Sequence, residues 1–83
     1  MNQYWISFRS LTHAQRAARV LERKAYTATL TRLPQGLSPK GCGYAVVVRH
    51  RPSDVIRILH DGKIPFGMVF VKDENGQFRE VTL

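Results

Sequence analysis

The run YAVVVR, residues Tyr44–Arg49, is the most β-prone stretch of the chain. Its nearly continuous apolar character predicts a central strand that is covered on one face and partly covered on the other. A central strand needs a neighbour on each side, and the sequence offers candidates both before and after it.

Two further strands are expected before this run. Residues 3–9 alternate in polarity, so that Tyr4, Ile6 and Phe8 share one apolar face, as in a strand that packs on a core. Residues 27–33 are rich in threonine and also alternate, which is typical of a strand at the edge of a sheet.

A helix is expected between these two strands. Ser10 and Thr12 both offer helix-starting side chains, and Thr12 with Gln15 matches a capping box. Alanines and a leucine follow at helical spacing, so the helix should span about residues 12–24. Its opposite side carries a basic stripe, which consists of Arg16, Arg19 and Arg23.

The sequence after the central run predicts a second helix and two more strands. Pro52 suits a first helical turn, and Gly62 is a plausible stop. Residues 64–71 read as a strand, and the Asn75-Gly76 pair is a strong hairpin signal that returns the chain as a short last strand.

The predicted order is β-α-β-β-α-β followed by a C-terminal hairpin strand. Right-handed crossovers with both helices on one face would make this a ferredoxin-like α+β sandwich, with residues 1–83 forming one domain. The first two strands would then run the same way. We therefore expect the start of the first helix and the loop before Tyr44 to lie at the same end of the sheet.

The charge is strongly basic. Thirteen Lys and Arg residues against six acids give a formal net charge of +7. Such a charge favours an anionic partner, such as nucleic acid or an acidic protein. The basic residues are dispersed along the chain, however, so a solvated cationic surface is an equally good interpretation.

The single cysteine, Cys42, restricts the compartment and the chemistry. One thiol can form neither an internal disulfide nor a multi-thiolate metal site, which fits a reducing compartment. The first residues do not have the layout of a signal peptide, and no apolar run reaches membrane-spanning length. These patterns predict a soluble, cytoplasmic protein without a membrane partner.

The loop before the central run holds this cysteine between Gly41 and Gly43. Thiolate is the reactive form of cysteine, and a helix N-terminus or nearby cations favour it. Flanking glycines leave the sulfur accessible and allow backbone N–H groups to converge on it. The competing interpretation is a small apolar side chain buried at a strand end, and the residues alone do not decide between the two.

Other chemistry has little support in the sequence. His13, His50 and His60 have no spacing that would join them in a metal site. Motifs for phosphate binding, dithiol exchange and serine hydrolysis are absent from the sequence.

RNA-recognition domains share the predicted strand and helix order, and they stack bases on aromatic residues of their central strands. Residues 43–49 partly match their sheet motif, with Tyr44 as the one retained aromatic residue, and Trp5 could face outward from the first strand. A nucleic-acid-binding or protein-interaction module with a structural cysteine is therefore the second hypothesis.

A set of short segments along the chain forms a familiar pattern: Tyr4–Ser10, His13-Ala14, Leu33-Pro34, Leu37-Ser38 and Gly41-Cys42-Gly43. Together these segments resemble the selenium/sulfur carrier-like family of small bacterial domains. The resemblance runs from about Tyr4 to Phe70 and departs from the family at Gln35, where relatives often have a basic residue.

The resemblance implies a carrier that holds sulfur or selenium on Cys42 as a transient persulfide-type adduct, with no resident cofactor or metal. Donor and acceptor proteins would be its partners, and it would be a carrier rather than a turnover enzyme. Gly41 and Gly43 would expose the sulfur. The basic stripe would dock an acidic partner, whereas the simpler interpretation of the stripe is a solvated side of the helix. Hydrogen bonds to the adduct are expected from Ser10, His13 and Ser38.

Overall fold

The computed structural model describes residues 3–34, 36–37 and 43–81. These residues form five strands and two helices in the order β1-α1-β2-β3-α2-β4-β5. The bounds are β1 Gln3–Phe8, α1 Leu11–Arg23, β2 Ala28–Arg32, β3 Tyr44–Val48, α2 Pro52–Asp61, β4 Val69–Lys72 and β5 Phe78–Glu80.

All strand pairs are antiparallel, and the sheet order is β2-β3-β1-β4-β5. Strand β3 therefore lies inside the sheet, as its apolar sequence predicts, and β2 lies at one edge. Because β3 is antiparallel to both β1 and β2, these two strands run in the same direction although they do not touch.

The core lies between one face of the sheet and the two helices. On this core face Ile6 is paired with Val46 and Val69, and all three side chains are buried. Both helices contribute to the same cluster, so helix packing and strand alternation bury one continuous core. The buried helix residues of this cluster are Ala14, Ala17, Ala18, Leu21, Val55 and Leu59.

The opposite face of the sheet is called the helix-free face below, because the described helices pack on the core face. Trp5, Val47 and Phe70 lie in one row across it, since Trp5 is paired with both other residues. Phe70 is nevertheless only 5% exposed, and it is not part of the core cluster. The helix-free face therefore contains a small apolar centre of its own.

The N-cap of helix α1 lies two residues before the position that the capping-box pattern predicts. Ser10 is the N-cap, and its hydroxyl accepts a hydrogen bond from the backbone N–H of His13 at 3.4 Å. Thr12 lies inside the first turn and is exposed, so the prediction that Thr12 caps the helix is wrong. The buried alanines and Leu21 agree with the predicted apolar side of the helix.

Strand β4 is shorter than the predicted strand over residues 64–71. The backbone N–H of Ile64 bonds the carbonyl of Leu59 at 2.9 Å, which ties Ile64 to the end of α2. Pro65 then follows without an N–H to donate. Regular pairing therefore starts only at Val69, and residues 64–68 do not form the first part of the predicted strand.

The hairpin between β4 and β5 is confirmed. Asp73 Oδ1 accepts hydrogen bonds from the backbone N–H groups of Asn75 and Gln77, both at 2.9 Å. Gly76 has a φ of 80°, a left-handed conformation that glycine adopts without steric cost. The turn residues thus account for the fifth strand.

The α+β class, with an antiparallel sheet and two helices, is confirmed. The sheet differs from a four-stranded ferredoxin-like sheet because β5 adds a fifth strand beside β4. Among the described residues, neither helix is long and apolar enough to cross a membrane.

Candidate functional site

The two ends of the cysteine-containing loop meet at one end of the sheet. The backbone N–H of Leu33 bonds the carbonyl of Gly43 at 3.2 Å, which continues the β2–β3 pairing by one residue. Gly43 also lies against the end of β1, since a Cβ built on it would be 3.6 Å from the Phe8 carbonyl oxygen. Leu33 and Gly43, which flank the cysteine loop in the sequence, are therefore joined to each other, and Gly43 lies beside the last residue of β1.

Helix α1 starts shortly after this end of β1. Ser10 follows Phe8 by two residues, and its carbonyl accepts a hydrogen bond from the Ala14 N–H at 3.1 Å. The first turn contains no acidic residue that would neutralise the positive end of the helix dipole. The expectation that this helix start and the ends of the cysteine loop share one end of the sheet agrees with these contacts.

The central residues of the predicted site lie outside the described part of the chain. Ser38, Gly41 and Cys42 are among these residues, so their proposed roles remain predictions. In the described part of the loop, the Leu37 N–H bonds the Pro34 carbonyl at 3.3 Å, which closes a tight turn.

Three other predicted site residues lie in the described part of the chain. Gly43 lies at the loop end, and Ser10 and His13 form the capped first turn of α1, with all three half-buried. The Ser10 hydroxyl already accepts one hydrogen bond from His13, but its own O–H remains a potential donor.

The basic stripe on α1 is exposed at all three of its positions, Arg16, Arg19 and Arg23. Arg16 Nη2 donates a hydrogen bond to the carbonyl of Gly62, at the end of α2, at 3.3 Å. Arg16 therefore has a structural contact with the end of α2, which the helical spacing of the three arginines did not predict. A docking role for the stripe remains a prediction.

Hydrogen bonds between Ser7 and residues 67–68, at this same end of the sheet, were not predicted from the sequence. The Ser7 hydroxyl accepts a hydrogen bond from the Met68 N–H at 2.7 Å, and the Ser7 carbonyl accepts one from the Gly67 N–H at 2.8 Å. A Cβ on Gly67 would be only 2.6 Å from the Ser7 hydroxyl oxygen. The sequence signal that could have indicated this contact is Gly67, because a glycine near a strand often marks a close backbone approach.

The histidines outside the helix start have structural partners. His50 Nε2 accepts a hydrogen bond from the Thr27 N–H at 3.2 Å, and its ring meets that of Tyr26 edge to face. His60 contacts Phe66 in the same manner, beside an open groove of about 440 Å³. Within residues 3–34, 36–37 and 43–81, no cluster of three potential metal ligands occurs.

The aromatic residues differ from the RNA-recognition pattern. Tyr44 packs against the core cluster and is paired with Phe8 on the core face, so the interpretation of Tyr44 as a base-stacking residue is wrong. Trp5 does lie on the helix-free face. Its ring is 5.1 Å from that of Phe78, and its buried Nε1 has no hydrogen-bond partner among the described residues.

Comparisons with known proteins agree with the resemblance seen in the sequence. No curated protein and no solved structure matches the chain significantly. A family model with the description "Putative Se/S carrier protein-like" matches residues 3–70 of the 83 residues. This match extends from β1 into β4 and includes the cysteine loop and both helices. The chain therefore belongs to the Se/S carrier protein-like family.

Proposed function

We propose that the protein carries sulfur or selenium on Cys42 as a persulfide-type adduct and passes it from a donor protein to an acceptor protein. The observation that carries the proposal is the family match, which covers the cysteine loop. The contacts of Leu33 and Gly43 support it, because they fix the ends of that loop beside the start of α1.

The transfer needs no external oxidant or reductant. The Cys42 thiolate attacks the outer sulfur of a donor persulfide, so a new S–S bond forms and the donor S–S bond breaks. The electron pair of the broken bond leaves on the donor thiolate. An acceptor thiolate then attacks the outer sulfur, and Cys42 departs as thiolate. The selenium reaction has the same form, with selenium as the transferred atom.

The chemistry requires an accessible thiolate at neutral pH, and the surroundings of the loop favour one. The free N–H groups of the first turn of α1 carry partial positive charge, which stabilises a nearby anion. Gly43 is bonded directly to Cys42 and lies against the Phe8 carbonyl, two residues before the N-cap Ser10. Ser10, His13 and Ser38 would donate hydrogen bonds to the adduct, and Gly41 would leave the sulfur uncovered.

Docking of the partners would use the exposed face of α1. Arg19 and Arg23 are exposed and one helical turn apart, and they offer positive charge to an acidic partner. Arg16 would contribute less, because its guanidinium is bonded to the Gly62 carbonyl. The protein would act in a reducing cytoplasm, where the Cys42 thiol stays out of disulfides and can accept sulfur.

We also propose that the domain is ferredoxin-like. The position of β3 between β1 and β2 supports a split β-α-β arrangement of this kind. We assign β5 as an addition to this domain, since it lies after the segment that the family model matches.

The reactivity of Cys42 can be measured by alkylation with iodoacetamide over a range of pH. We expect the native thiol to titrate below about 8.5, the usual pKa of a free cysteine. The same chain unfolded in urea is the matched reference, because it contains the same thiol without the helix. A native titration equal to the unfolded one, or a native thiol that does not react, would contradict the proposal.

A further inference from the structure

The helix-free face contains an aromatic cluster, defined here as Trp5, Lys72 and Phe78. The rings of Trp5 and Phe78 are 5.1 Å apart at an angle of 88°. Lys72 Nζ lies 5.8 Å from the centroid of Trp5 and 5.7 Å from that of Phe78. All three side chains are half-buried, so the cluster combines ring surface and a cation within reach of solvent.

The register explains why the cluster forms at this place. Trp5 is paired with Phe70, and Lys72 is paired with Gln3 and Phe78. Trp5 and Phe78 therefore meet diagonally across β4, above the buried Phe70. The hairpin strand β5 supplies one of the two rings, so the cluster depends on the segment that follows the family match.

The positive charge near this face comes from residues at and beyond the strand ends. Arg9 and Arg49 are exposed and directly follow β1 and β3, at positions that strand alternation assigns to the helix-free face. Glu80 is the acidic residue on β5, and it is paired with Phe70 on this same face. With a formal net charge of +7, a second copy of the chain would be repelled, whereas an anionic partner would be attracted.

We propose that the helix-free face binds single-stranded nucleic acid. Proteins that bind single strands combine a positive surface along the backbone with aromatic side chains on which bases stack. Here Trp5 and Phe78 offer the rings, and Lys72 offers the phosphate contact beside them. An acidic peptide would match the charge but would leave the two rings without flat partners.

This activity is separate from sulfur transfer in the molecule. Trp5, Lys72 and Phe78 lie on the face of the sheet opposite to helix α1, whose start lies beside the ends of the cysteine loop. The Cys42→Ser variant should therefore bind nucleic acid as the native protein does. A failure of the carrier proposal would leave this one standing, and the reverse also holds.

Trp5 is the only tryptophan, so its fluorescence reports on the proposed site directly. The test titrates the full chain at low salt with oligouridylate and oligothymidylate of about 12 nucleotides, within the site sizes of known single-strand binders. We expect saturable quenching of Trp5, with an affinity that falls steeply as salt is added. Absence of quenching at low salt would overturn the proposal.

Matched variants separate stacking from general charge attraction. Phe78→Leu should weaken binding roughly tenfold by removing a stacking surface. Lys72→Gln should weaken it more than Arg19→Gln, which removes the same charge from the exposed side of α1. Equal losses for the two charge variants would overturn the proposal, and this pair remains informative if Phe78→Leu does not fold.

Polyglutamate of similar length and charge tests the other anionic partner. Quenching by the oligonucleotides without quenching by polyglutamate would support nucleic-acid binding. Equal quenching by both would overturn it in favour of an acidic protein surface.

Discussion

The two faces of the sheet are built from the same strands but differ in what covers them. On the core face, Ile6 and Val46 are completely buried under the helices. On the helix-free face, Trp5 and Val47 occupy the adjacent strand positions and are only half-buried. The difference teaches that strand alternation gives β1 and β3, at these positions, one row of fully buried side chains and one row that keeps part of its surface in water.

The largest effect on stability is expected when a valine is replaced by alanine on the core face, compared with the same replacement on the helix-free face. Val46→Ala and Val47→Ala change consecutive residues of β3, and Val46 is 0% exposed. Val46→Ala should lower the free energy of unfolding by about 2–3 kcal/mol, because methyl groups are lost and a cavity remains. Val47→Ala should cost less than about 1 kcal/mol, since its side chain is already partly in water.

Urea denaturation of both variants measures this difference, with the slope of the transition as a check on two-state unfolding. Equal losses would mean that the helix-free face is covered as fully as the core face, which would break the comparison.

An intermediate effect is expected where the helix-free face is tightly fitted. Gly67→Ala would place a methyl group 2.6 Å from the Ser7 hydroxyl oxygen and disturb its bond to the Met68 N–H. We expect a loss of about 1–3 kcal/mol, as for other overpacked sites. Gly62→Ala is the control, because its nearest contact would be an ordinary 3.4 Å.

The double variant Ser7→Ala/Gly67→Ala tests whether the close contact with the Ser7 hydroxyl causes the loss of stability in Gly67→Ala. Removal of the Ser7 hydroxyl should recover part of the stability lost in Gly67→Ala, which a double-mutant cycle would detect. Strictly additive losses would show that the close approach is not what makes Gly67 necessary.

The smallest effect is expected at the start of the helix layer. Ser10→Ala removes the N-cap oxygen and should lower the free energy of unfolding by about 1 kcal/mol. Thr12→Ala, which the capping-box pattern would make equally costly, should change it by less than about 0.5 kcal/mol, as at other exposed surface positions. A larger loss for Thr12→Ala would contradict the helix start seen here.

Local patterns predicted most of the fold. The alternation of β1, the apolar run of β3 and the Asn75-Gly76 turn each depend on neighbouring residues, and all three are confirmed. The strand over residues 64–71 was predicted too long because Ile64 bonds to the end of α2. That contact is set by the packing of the helix, which β-propensity does not contain.

The candidate site was predictable only in outline. Strand order was enough to bring the helix start and the ends of the cysteine loop together, and Leu33, Gly43 and Ser10 agree with this. The Ser7–Met68 bond and the Trp5–Phe78 contact join residues more than 60 positions apart along the chain. Such contacts depend on register and side-chain direction, for which a single sequence gives no local signal.

The central claim, that Cys42 carries sulfur, is tested most directly by intact-mass analysis after incubation with a low-molecular-weight persulfide. We expect the native protein to gain the mass of one sulfur atom, to lose it on treatment with a thiol reductant, and the Cys42→Ser variant to remain unchanged. A native protein without the added sulfur, or an equal gain in Cys42→Ser, would contradict the claim.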